Sequence, residues 1–260
     1  MESIFITGAA SGIGRATAIL FVAQGWRVGA ADTDAAGLAR LADELGRERC
    51  HTEVLDVTDG VAYAAAIDRF VAGSAGRLDV LFNCAGVLRC GPFERQSADD
   101  DALMVRVNLL GVTTGIRAAL DALKRTPGAR IITMASAASI YGVPEEAVYS
   151  ATKFGVRGLT EALDIEFRDL GIQVSDIIPP IVRTPMVTEQ AYQPGVNKNA
   201  RLWLTPEDVA AVAWRAAHQH RLHWLMSREV RMLARLVAIV PRFGRAIMAR
   251  YSRHPVGAAR

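Results

Sequence analysis

The sequence predicts an α/β fold, a doubly wound parallel sheet in three layers formed by a single domain. Three observations carry this. Short apolar runs at 3–7, 27–31, 50–55, 79–83, 129–134, 172–178 and 222–226 alternate with amphipathic stretches near 12–24, 34–46, 58–73, 99–125, 147–170 and 205–219. Such alternation builds βαβ units whose sheet is covered by helices on both faces. A glycine-rich turn, Gly8-x3-Gly12-x-Gly14, links the first run to the first helix. An aspartate, Asp32, ends the second run. In a sheet of this kind, ligands bind beyond the carboxyl ends of the strands, at the switch point.

The bulk numbers agree. A chain of 260 residues, 51% hydrophobic and 22% charged, is long and apolar enough for a sizeable core and is not disordered. Cys50, Cys84 and Cys90 show no pairing pattern and read as reduced thiols. The first strand begins by about residue 3, so no cleaved leader is expected, and no apolar run of spanning length is read. These points favour a cytoplasmic protein.

The first strand, Ile4-Phe5-Ile6 at its centre, runs into the glycine turn that opens the first helix. Gly8 permits a tight turn, Gly12 lets backbone approach a pyrophosphate, and Gly14 lets the helix pack close. With Ser11 and Ile13 they form a cradle whose free N–H groups face phosphates. At the end of the second strand, Asp32 can bind both ribose hydroxyls of NAD and repel the extra phosphate of NADP. Arg15, the nearest cation, reads equally as a solvated helix residue. NAD is therefore expected rather than NADP. Asp56 ends the third strand, beside Val57, and either accepts from the adenine amine or caps the next helix.

The fifth strand is followed by Ser136, and the helix after it carries Tyr149 and Lys153 four residues apart, on one face. A nearby ammonium favours the phenolate and is expected to lower the Tyr149 pKa toward the working range of an acid–base. Ser136 can hydrogen-bond a substrate oxygen as charge develops on it.

With these pieces in hand the chain resembles the short-chain dehydrogenase/reductase family. The matching elements are Thr7-Gly8-x3-Gly12-Ile13-Gly14, Asn83-Cys84-Ala85-Gly86, Asn108, Ser136, Tyr149-x3-Lys153, and Pro179 through Thr184, which together span roughly residues 3–210. The resemblance implies a Rossmann-like fold, with Tyr149 as acid–base and Lys153 as its partner and ribose ligand. Ser136 would donate to the substrate oxygen. Asn108 would hold a helix kink and a proton-relaying water, and Asn83, Ala85 and Gly86 would line the adenosine side. Pro179, Ile181, Val182 and Thr184 would approach the nicotinamide. Cys84 stands where the family usually has a second Asn, and Pro180 where it usually has Gly. Proline removes a donor and fixes φ, so this loop is expected to run differently. The acidic glycine turn that ends many members is absent.

The unit is read as 1–226, with a substrate lid at about 180–204, followed by a basic amphipathic tail at 227–260. Residues 221–260 hold nine arginines and one acid, a formal +8, which leaves −5 on the other 220 residues within the overall +3. Arg228, Arg231, Arg235 and Arg242 share one helical face and Val230, Leu233, Val237 and Val240 another; Pro241 breaks the pattern and a shorter helix follows near 243–252. The tail either packs on the body or lies on a membrane surface through 228–253. Nucleic acid is not expected as a partner. His218, His220 and His223 read as surface or packing residues and not as a metal site.

The function expected is an NAD-dependent oxidoreductase that interconverts a secondary alcohol and a ketone on an apolar, steroid-, retinoid- or long-chain-like molecule. Leu88, Ile140, Tyr141, Ile181, Met186 and Trp203 are pocket candidates. The alternative is a catalytically silent NAD(H)-sensing protein. Helices 99–125 and 147–170 resemble those that pair subunits, so a homodimer or homotetramer is expected.

Overall fold

The computed structural model describes residues 1–195 and 203–251. One parallel sheet of seven strands is ordered β3-β2-β1-β4-β5-β6-β7. The strands are β1 Ser3–Thr7, β2 Arg27–Asp32, β3 Cys50–Val54, β4 Val80–Asn83, β5 Arg130–Met134, β6 Gln173–Ile178 and β7 His223–Leu225. The order reverses between β1 and β4, and the crevice at their carboxyl ends is the switch point.

Side-chain alternation on the strands divides the interior into two cores. Phe5 points into one, with Tyr63, Ile67 and Phe70 of α3 (Gly60–Gly73), Ile116 and Leu123 of α5 (Gly111–Arg125) and Val156 of α6 (Ala147–Glu166). Ile4 and Ile6 point into the other. There they meet Phe21 of α1 (Gly12–Ala23), Leu38 and Leu41 of α2 (Ala35–Leu45) and Val209 of α8 (Pro206–His218). The second core is closed by edge-to-face contacts of Phe21 with Trp26 and Trp214, at 5.1 and 5.0 Å between centroids.

Local chemistry sets the helix starts. Asp34 caps α2, and a Thr205–Asp208 capping box with Pro206 in the first turn opens α8. Asp59, not Asp56, caps α3 by accepting from the Val61 and Ala62 N–H groups at 3.0 and 2.9 Å.

The stretch expected as one helix over 99–125 is interrupted. It runs as α4 (Ala98–Val105), a π-helical turn over Arg106–Leu110, and then α5. Insertion of one residue into the helical ladder is stabilised here by Asn108, whose amide is spent on a distant backbone. The run 98–125 also has the length and hydropathy of a membrane span, contrary to expectation, with 39% of its apolar window buried in the fold.

The lid region enters through the short helix α7 (Pro185–Thr188) and rejoins the body at Leu204, which bridges Val182. Its central part, 196–202, lies outside the described residues. The tail forms two helices, α9 (Arg228–Ile239) and α10 (Pro241–Tyr251). Ser227 caps α9 through the Val230 N–H at 3.0 Å, and Pro241 starts the second helix where it would break the first. Val230 is buried in the first core, whereas Met232 is 71% and Ile239 80% exposed. Residues 252–260, including Arg253 and Arg260, lie outside the described residues.

Candidate active site

The glycine loop is built by close approach. Gly8 sits at φ +70° and Gly12 at φ +50°, left-handed positions that glycine adopts without strain. A Cβ on Gly14 would lie 2.1 Å from the Gly8 carbonyl oxygen, so only glycine lets α1 start this near β1. Ser11 is the N-cap of α1 but makes no side-chain cap bond, and no acid occupies the first turn. The leading N–H groups and the positive end of the helix dipole are thus left for an anion. A cradle that a single methyl group would fill fits the pyrophosphate of a dinucleotide.

Asp32 lies beside this loop. Its Oδ2 accepts from the Ala10 N–H at 3.0 Å and its Oδ1 from the Asp34 N–H at 3.1 Å, which leaves lone pairs on both oxygens for ribose hydroxyls. Arg15 turns from it to pair with Glu44 of α2. Asp56 is exposed and accepts from the Thr58 N–H and hydroxyl at 2.9 and 2.8 Å, an Asx turn and not a helix cap. Val57 and Asn83 turn into the α3–α5 layer. Val57 fills the space a Cβ on Gly111 would need, and Asn83 Oδ1 accepts from the Tyr63 hydroxyl at 3.4 Å. The Ala85 N–H is held by Thr7 Oγ1 at 3.1 Å. Of the adenosine-side candidates, Gly86 alone lines the main cavity.

Ser136, Tyr149 and Lys153 come together on one wall of that cavity, whose volume is about 1080 Å³. Ser136 caps the turn after β5, its Oγ accepting from the Ala138 N–H at 3.2 Å. The Lys153 ammonium lies 5.5 Å from the Tyr149 ring centroid and donates to the Met134 carbonyl at 2.8 Å. The expected lowering of the Tyr149 pKa by Lys153 is not seen. Burial raises it, the Glu146 carboxylate raises it further, and only the Ser136 hydroxyl opposes them. Burial also brings Lys153 down to about 8. Desolvation disfavours the charged form of each, and the ammonium is engaged by a carbonyl.

Asn108 is fully buried at the π turn. The Val87 N–H donates to its Oδ1 at 2.7 Å and its Nδ2 donates to the Val87 carbonyl at 2.8 Å, which holds the loop after β4 beside Lys153. Pro180 lies in the next loop and itself lines the cavity. Pro179, Ile181, Val182 and Thr184 all line the cavity, and Thr184 Cγ2 lies 3.2 Å from where a Gly12 Cβ would stand. The Leu204 carbonyl accepts from Arg183 N–H at 2.8 Å and holds the loop there.

The remaining lining is mostly apolar. Leu88, Tyr141, Ile181 and Met186 are in it, but Ile140 is packed in the core and Trp203 is not among the lining residues. Sequence reasoning missed that the tail completes the cavity through Leu233, Leu236, Ile239 and Met248. It also missed Glu146. This residue sits at the start of α6, is 7% exposed, lines the cavity, and is pushed up to about 7 by burial and by the charge of Glu145. The adjacent pair of carboxylates just before Tyr149 was the available signal. The three tail-side histidines each have their own partner: His218 the Trp214 carbonyl, His220 Asp164, and His223 Asp176.

Comparison with known proteins places these features among relatives. The short chain dehydrogenase family matches residues 2–194. D-threitol dehydrogenase of Mycolicibacterium smegmatis is 37% identical over 215 residues, covering 80% of this chain and 82% of that protein. A 3-alpha-(or 20-beta)-hydroxysteroid dehydrogenase of Mycobacterium bovis is 36% identical over 199 residues, 75% of each chain. The crystal structure of a short chain dehydrogenase/reductase from Burkholderia phymatum in complex with NAD superimposes with a TM-score of 0.82 at 28% identity, covering 98% of both chains.

Proposed function

Because the chain belongs to the short-chain dehydrogenase/reductase family, an oxidoreductase family that uses nicotinamide cofactors, we propose that it is an NAD-dependent enzyme that interconverts a secondary alcohol and a ketone on a largely apolar molecule. The observation that carries this is the convergence of Ser136, Tyr149 and Lys153 on one wall of an apolar cavity that opens toward the glycine loop.

The glycine loop and the start of α1 would hold the pyrophosphate, Asp32 the adenosine ribose and Lys153 the nicotinamide ribose. When bound, the nicotinamide supplies the hydride acceptor or donor. Tyr149 gives or takes the carbinol proton at its phenolic oxygen, and Ser136 donates to the substrate oxygen and so stabilises charge there. Tyr149 and Ser136 are both half-buried at the cavity wall.

Asp32 beside the loop, with Arg15 drawn off by Glu44, favours NAD over NADP. The apolar lining contributed by the tail favours a lipophilic substrate over a sugar-like one. Turnover of apolar secondary alcohols with NAD, followed by NADH absorbance, tests the reading. Absence of turnover, with NAD still bound, would favour the sensing alternative.

Two extensions rest on exposed surfaces. Phe154 and Ile165, both exposed and eleven residues apart, share one face of α6, a face suited to self-association into a dimer or tetramer. Met232 and Ile239 stand exposed among Arg228, Arg231 and Arg235 at the cavity mouth, a combination suited to an anionic membrane surface reached by an otherwise cytoplasmic protein.

A further inference from the structure

We propose that Glu146 is a specificity-determining residue that accepts a hydrogen bond from a second hydroxyl of the substrate, close to the reacting carbinol. The inference rests on the dehydrogenase reading above and names a feature of the substrate that the reading leaves open.

The placement is specific. Glu146 precedes Tyr149 by three residues at the head of α6, so the two side chains lie over the same turn, and both line the cavity with Ser136. Glu146 occupies the N-cap position, yet its side chain makes no cap bond. The residue lines the cavity while being almost wholly buried. Among the described residues, its Oε1 accepts from the Cys90 thiol at 3.9 Å, a weak donor. A carboxylate offers about four acceptor positions, and burial without strong donors is costly. A donor carried in by the substrate would satisfy it.

The chemistry of the donor follows from the surroundings. Among the described residues, the groups that face Glu146 are Cys90, Tyr141, Tyr149 and the neighbouring Glu145, and none of these is a cation. Burial leaves the carboxyl poised near neutrality, so it spends time in both forms. An ammonium would pair only with the charged form. A hydroxyl donates to the carboxylate and accepts from the acid, and so fits both. With the reacting oxygen held by Ser136 and Tyr149 and a second oxygen held by Glu146, the carbinol carbon is fixed at two points. The substrate is then an apolar body bearing a diol or hydroxyketone.

The full-length protein is assayed with trans-cyclohexane-1,2-diol and cyclohexanol, which share one apolar ring. Two quantities are measured: kcat/KM with NAD, and binding in the presence of NADH by ligand-observed NMR. The wild type is expected to prefer the diol at least tenfold, chiefly in KM and in binding. Glu146→Leu abolishes the preference, and Glu146→Gln, which keeps a carbonyl acceptor, retains part of it; thermal unfolding confirms that both variants fold. A wild type without the preference, or a Glu146→Leu protein that keeps it, overturns the proposal. If neither alcohol turns over, the dehydrogenase reading fails, and the binding preference still decides the role of Glu146.

Discussion

Asn108 grips the Val87 peptide at both ends, accepting its N–H at 2.7 Å and donating to its carbonyl at 2.8 Å, across 21 residues of sequence. One buried amide thereby stabilises the π turn and positions the loop that passes Lys153. Asn108→Leu leaves the Val87 N–H and carbonyl unpaired inside the protein. The expected cost is about 2–4 kcal/mol of unfolding free energy, read from the urea midpoint, with turnover falling further because the Lys153 side of the cavity shifts. A midpoint within error of the wild type would show the clasp to be dispensable.

Asp32 sets cofactor choice by its charge. Asp32→Ser removes the repulsion toward a 2′-phosphate and the acceptors for the ribose hydroxyls. The ratio of kcat/KM for NAD over NADP is expected to fall by at least tenfold. An unchanged ratio would place the discrimination elsewhere.

Glu146 makes stability depend on pH in a defined direction. Its pKa in the fold lies near 7, above the ordinary 4.5, so the native state holds this proton more tightly than the unfolded chain does. The group costs nothing below about pH 4.5, where it is protonated in both states. The cost grows as pH rises from 4.5 to 7 and is constant beyond. Glu146→Gln should therefore unfold at a higher temperature than the wild type at pH 8, with the gap closing near pH 4.5. A gap of the same size at both pH values would show that the carboxylate is not held out of its ordinary range.

The tail offers a separate test. Met232→Ser combined with Ile239→Ser removes the two most exposed apolar side chains of α9 while keeping the arginines. Flotation of the wild type with vesicles containing anionic lipid, and its loss in the double variant, is the expected result. A wild type that stays in the soluble fraction removes the membrane contact.

The sheet, the glycine loop and the Ser136–Tyr149–Lys153 group were legible because each depends on local pattern: strand alternation, a left-handed glycine, a four-residue helical spacing. The break at 106–110 was legible only through the family resemblance, which gave Asn108 a helix kink; apolar periodicity alone reads as one helix, since the residue that stabilises the turn bonds the distant Val87 backbone. Asp56 reads by sequence as a possible cap, but its carboxylate closes a turn on Thr58 and Asp59 caps α3 instead. The two faces of α9 were readable, but what they cover was not, because the cavity they complete is assembled from the end of β5, the loop after β6 and α6. The raised Tyr149 pKa reversed the expectation from charge proximity, since burial outweighs a lysine already engaged by Met134.

The most direct measurement of the central claim compares the wild type with Tyr149→Phe, using apolar secondary alcohols with NAD and, in parallel, NAD binding by calorimetry. Loss of the phenolic proton carrier is expected to lower kcat by roughly 10²–10⁴-fold with NAD affinity within a factor of a few. A Tyr149→Phe protein that turns over as the wild type does would contradict the account.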